Sequence, residues 1–150
     1  MLILLPPSEG KTRPQSGPAL NPDLLRFPEL AAARKEVLSA LMDASAAQDA
    51  HTVLGVGASL ASEVQRNTVL EGEPCAPAHQ VYSGVLYDAL GYDSLTPGQQ
   101  AAADEAVVVI SALWGAIGFG DAIPAYRLSM GTKLPGIGRL AAFWKAALTE

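Results

Sequence analysis

Two cations and two tyrosines carry most of the chemistry that this chain offers. Lys11 lies in a Pro-, Ser- and Gly-rich stretch just after an apolar run, in the order Ser8-Glu9-Gly10-Lys11-Thr12. The carboxyl end of a strand is where α/β proteins commonly place ligand sites, so Ser8, Glu9 and Lys11 can form a polar cluster there. Arg127 follows Tyr126, and Tyr82 belongs to a second block, Val81-Tyr82-Ser83-Gly84. Tyrosine rings beside a guanidinium can stack a base or hold an anion. The same rings serve equally as core residues with satisfied hydroxyls, which is the commoner use.

Gly10-Lys11-Thr12 invites comparison with a nucleotide phosphate loop. That pattern needs a glycine where Leu5 stands and a helix starting at the lysine, which Arg13-Pro14 opposes. Leu134-Pro135-Gly136-Ile137-Gly138-Arg139 is similar to the hairpin of a helix-hairpin-helix element. In such a hairpin, Gly136 and Gly138 permit a tight turn whose backbone N–H groups meet a phosphate, and Lys133 and Arg139 reach its neighbours. The plainer reading is a turn that starts the following helix. His51, His79 and Cys75 show no metal-ligand spacing, and no nucleophile elbow or Cys–His signature occurs. No catalytic residue, metal or cofactor is assigned.

Composition limits the classes. The chain has 150 residues, 49% of them hydrophobic, and 10 basic against 15 acidic side chains, for a net charge of −5. That is a globular composition with room for a core. The acidic balance argues against a general nucleic-acid binder. The charge is uneven, however: 122–149 has no acid and contains Arg127, Lys133, Arg139 and Lys145, a pattern that can form a local anion surface. Apolar runs are too short to span a bilayer, and Pro6-Pro7 cuts off the first of them, against a secretory signal. A single cysteine excludes an internal disulfide and fits a reducing compartment.

These groups need a frame. Leu2–Leu5 and Val107–Ser111 are apolar throughout and predict buried strands. Residues 6–22 form a long loop. A helix after Pro28 should bury Leu30, Ala33, Val37, Leu38 and Leu41, with Arg34, Lys35 and Glu36 off that face. A second should run from about Ser59 to Leu70, burying Leu60, Val64 and Val69. Val85–Leu90 reads as a short helix stopped by Gly91, and Thr96-Pro97 as the start of one through about Glu105. The expected class is α/β: a mixed sheet with at least some parallel pairing, surrounded by helices. The helix from Leu140 has no stop signal before Glu150, so the fold is expected to be incomplete at its C-terminus.

Four blocks in order give the chain a resemblance: residues 2–12, 81–87, 110–131 (with Ile110-Ser111-Ala112-Leu113-Trp114-Gly115 and Tyr126-Arg127-Leu128-Ser129-Met130-Gly131) and Phe143-Trp144. Together they resemble the YaaA (UPF0246) family of bacterial peroxide-stress proteins over nearly the whole chain. The family's Leu-Arg-Pro-Leu-Asp is Ile117-Gly118-Phe119-Gly120-Asp121 here, so its arginine and proline are absent. The resemblance implies a cytoplasmic protein that limits oxidative damage linked to free iron, and DNA binding through a helix-hairpin-helix element and a basic cleft. It also implies a functional Lys11, and a single YaaA-like domain that continues well beyond residue 150. The alternative kept beside it is an enzyme or small-anion-binding protein with a pocket around Lys11, Tyr82, Tyr126 and Arg127.

Overall fold

The computed structural model describes residues 2–8 and 10–148. Strand β1 (Ile3–Leu5) lies parallel to β3 (Val107–Ser111), with Ile3, Leu4 and Leu5 opposite Val107, Val108 and Val109. On the other side of β3, β4 (Gly115–Gly118) returns antiparallel, so the sheet order is β1-β3-β4. Between β1 and β3 the chain forms α1 (Ala31–Ala46), α2 (Ala50–Leu54), α3 (Ala61–Asn67), a two-residue strand β2 (Ala76–Pro77), α4 (Ala78–Val81), α5 (Val85–Leu90) and α6 (Pro97–Ala106). After β4 come β5 (Ala122–Ile123), which pairs with β2, then the hairpin β6 (Lys133–Leu134) and β7 (Gly138–Arg139), and finally α7 (Leu140–Leu148). The mixed α/β class and the parallel pair expected from the sequence are both present.

Local signals explain several boundaries. Thr96 accepts from the Gln99 N–H while the Gln99 side chain accepts from the Thr96 N–H, a reciprocal cap that starts α6. Gly91 ends α5 in the left-handed region at φ 60°. The turn from β3 to β4 is built by Ser111, whose Oγ accepts from the N–H groups of Leu113 and Trp114. Gly115 then takes φ 76°, and a Cβ there would lie 2.6 Å from the Trp144 ring. The Trp144 indole N–H donates to the Ala112 carbonyl, which ties α7 to that turn. Asp121 closes the far end of β4 by accepting from the N–H groups of Gly118 and Arg26.

Three expectations fail at the level of packing. The arginine of α1 is not off the apolar face: Arg34 is 2% exposed. Position 34 is three and four residues before Val37 and Leu38, so it shares their face. Its guanidinium is tolerated there because it donates to the carbonyls of Trp114, Arg26 and Ala116. In α3 the buried partner of Val64 is Asn67, while Val69 lies beyond the helix end and is exposed. The third failure is β1, a strand as expected but not a buried one: Leu2, Ile3 and Leu4 are 60%, 42% and 63% exposed. β1 pairs only with β3 among the described residues, so one edge and much of both faces lack cover.

Candidate functional site

The loop after β1 folds back against the residues that follow α4. The Thr12 N–H donates to the Val81 carbonyl and the Ser83 N–H to the Gly10 carbonyl, and Lys11 forms an antiparallel bridge with Tyr82. Ser8 reinforces this joint, its Oγ donating to the Gly10 carbonyl and accepting from the Ser83 N–H. Glu9, the remaining member of the expected cluster, lies outside the described residues.

That joint delivers Lys11 over two rings. Its Nζ stands 4.3 Å from the Tyr126 centroid and 5.7 Å from that of Tyr82, and donates to the Ser8 carbonyl at 2.8 Å. A cation placed over aromatic faces is held by their quadrupoles. The tyrosine hydroxyls point inward: Tyr82 and Tyr126 share a hydrogen bond of 2.7 Å, and Tyr126 a second of 2.7 Å with Ser111. Both residues are almost fully buried, and desolvation is the main cause holding the Tyr82 hydroxyl well above its ordinary pKa. Tyr82 thus lies beneath the ammonium as a neutral phenol.

Arg127 comes from the extended segment after β5. Asn67, fully buried at the end of α3, grips its peptide from both sides: the side-chain amide donates to the Arg127 carbonyl at 2.8 Å and accepts from its N–H at 3.0 Å. The Arg127 guanidinium meets Glu63, with Nη2 2.8 Å from Oε1. Position 63 is one helical turn before Asn67, so α3 fixes both ends of Arg127.

Lys11, Tyr126 and Arg127 therefore line one cleft of about 260 Å³, together with Gly10, Arg13, Glu63, Arg66 and Ala125. Four cations line it, Arg127 paired with Glu63 and Arg13 with Glu73, on a chain whose net charge is −5. Such local focusing is how an acidic protein presents an anion site. Arg13, Arg66, Glu63 and Asn67 were not singled out by sequence. Arg13 counted only as a helix breaker, and nothing in the pattern of α3 separates a polar clamp from an exposed helix face.

The hairpin sits apart from the walls of this cleft. β6 and β7 pair Lys133 with Arg139, and Gly136 and Gly138 take φ 82° and 86°. Open space lies where a Cβ would project from either glycine. Lys133 and Arg139 are exposed at the base of the hairpin and α7 follows directly. The stretch ahead, 124–132, contains no helix, so the leading helix of a helix-hairpin-helix element is missing in this chain.

His79 stacks on Tyr92 with centroids 3.6 Å apart, and burial lowers its pKa. No cluster of three or more His, Cys, Asp or Glu side chains able to hold a metal occurs among the described residues. Nor is any helix there long and apolar enough to cross a membrane.

The family model described as Peroxide stress protein YaaA matches residues 1–150. The chain belongs to the YaaA family. A UPF0246 protein of Streptomyces coelicolor is 45% identical over 152 residues, which cover all of this chain and 58% of that protein. One from Corynebacterium efficiens is 50% identical over 136 residues, covering 91% of this chain and 54% of the relative. A third, from Corynebacterium glutamicum, is 44% identical over 154 residues, covering all of this chain and 61% of the relative. The chain thus spans little more than half the length of these YaaA relatives.

Proposed function

We propose that this YaaA-family chain acts in the response to peroxide by binding the phosphate backbone of DNA, with the Lys11–Arg127 cleft as its principal contact. The observation that carries this reading is the convergence of Lys11, Arg13, Arg66 and Arg127 on one cleft. Phosphate contacts give affinity without sequence readout, and such a set of cations suits them. The β6–β7 hairpin supplies a second contact, through the N–H groups near Gly136 and Gly138 and the side chains of Lys133 and Arg139. Its glycine conformations and the open space before them support that role.

The test is a salt titration with two labelled duplexes of unrelated sequence. Lys11→Gln should weaken both alike, by about three- to tenfold, and lower the slope of log affinity against log salt by about one. A folded Lys11→Gln protein that binds both duplexes like the parent would overturn the assignment. A second reading, a small phosphate compound as ligand, is favoured by the cleft's modest volume of about 260 Å³. Thermal stabilisation by inorganic phosphate or a nucleotide, with no binding of duplex at low salt, would select it.

A further inference from the structure

We infer that the open edge of β1 is a docking surface for polypeptide corresponding to the part of the YaaA chain beyond the stretch matched here. The occupant adds a strand beside Ile3–Leu5 and covers the apolar side chains on both faces. An edge strand presents unpaired N–H and C=O groups, and proteins that leave one open blunt it with charge, a bulge or proline. β1 has none of these within its length: it is Ile3-Leu4-Leu5, preceded by Leu2, and Pro6-Pro7 only end it. Leu2, Ile3 and Leu4 project to alternate faces of the strand, and all three are exposed.

The apolar surface continues past the strand. Pro6 and Pro7 share a cavity of about 350 Å³ with Val85 and Leu86, themselves 88% and 45% exposed. Contiguous apolar surface of this kind marks an interaction site. The length of the relatives identifies the occupant. They are matched over only 54–61% of their residues, so roughly two-fifths of each polypeptide lies outside the match. A strand with apolar faces from that portion satisfies the edge and covers both faces at once, as strand addition does elsewhere.

The probe is the unmatched portion of the Streptomyces coelicolor relative, coexpressed with the 150-residue chain and read by amide exchange. The expected result is a one-to-one complex in which the amides of residues 3–5 exchange at least tenfold more slowly than in the chain alone. Leu4→Asp, on an exposed position, should weaken the complex at least tenfold while leaving the isolated chain folded. The intact relative gives a second measurement. Its strand matching Ile3–Leu5 should be as protected as the one matching β3. Free exchange at that strand in the intact relative would overturn the proposal. So would a complex whose protection maps elsewhere, or a homodimer joined through β1 that the added portion does not displace.

Discussion

β1 and β3 are neighbours in one sheet, paired residue for residue, and nearly identical in character, yet they live in opposite environments. Val107, Val108 and Val109 are at most 3% exposed, whereas Ile3 and Leu4 across the ladder are 42% and 63% exposed. β3 has a strand on each side, and Trp114 and Phe119, in and beyond the turns that bound β4, join the same core. Among the described residues β1 has one neighbour. An apolar run states a demand for burial, but tertiary structure supplies the burial, and the two can be separated within about 5 Å, the spacing of paired strands.

The largest expected effect comes from placing a charge in each strand. Val109→Asp puts a carboxylate where no accessible surface remains, and should cost more than about 4 kcal/mol, enough to prevent folding of a marginally stable domain. Leu4→Asp should change the urea midpoint of the isolated chain by no more than about 0.5 kcal/mol equivalent, the usual range for exposed substitutions. If Leu4→Asp also unfolds the chain, β1 is covered in solution and the contrast disappears.

A smaller effect tests what keeps β3 covered. Gly115, at the start of β4, lets the Trp144 ring close over the turn, and an added Cβ meets that ring at 2.6 Å. Gly115→Ala adds this clash to a strained left-handed φ of 76°. The expected loss is about 2–4 kcal/mol by urea unfolding. Slower amide exchange in β3 than in β1 should shrink as the β4 and α7 side loosens. A neutral Gly115→Ala would mean that α7 does not hold the turn in this way.

The same distinction explains what the sequence disclosed. Elements set by local chemistry were legible: the Thr96 cap, the Gly91 stop, the β-branched run of β3 and the glycine hairpin all form where their residues direct. Environments were not. Charge alone placed Arg34 on the solvent side, but three backbone carbonyls brought together from distant segments pay for its burial. In the cleft, Lys11 and Arg127 stood out through their blocks. Asn67 did not, because its role depends on meeting a peptide 60 residues away, a contact that no spacing along α3 announces.

The subtlest effect reads the contrast chemically, through thiol reactivity. Cys75, the one cysteine in the sequence, is 3% exposed, and its N–H donates to the Pro18 carbonyl as the 17–18 segment crosses it. Burial first, and the Glu73 carboxylate second, push its pKa up to about 11. Only the thiolate reacts, so at pH 7 roughly one Cys75 in ten thousand is reactive, against about 3% for an ordinary exposed thiol. A Leu4→Cys variant provides that exposed thiol on β1. Its alkylation at pH 7 should exceed that of Cys75 by at least about 300-fold and level off above roughly pH 9. Cys75 should instead speed up about tenfold per pH unit until near pH 11, because deprotonation, not the reagent, limits it. Adding the polypeptide that docks on β1 should slow the Leu4→Cys reaction and leave Cys75 unchanged. Rapid alkylation of Cys75 at pH 7 would show that its site opens readily. A persistently slow one means that peroxide would find little thiolate at Cys75.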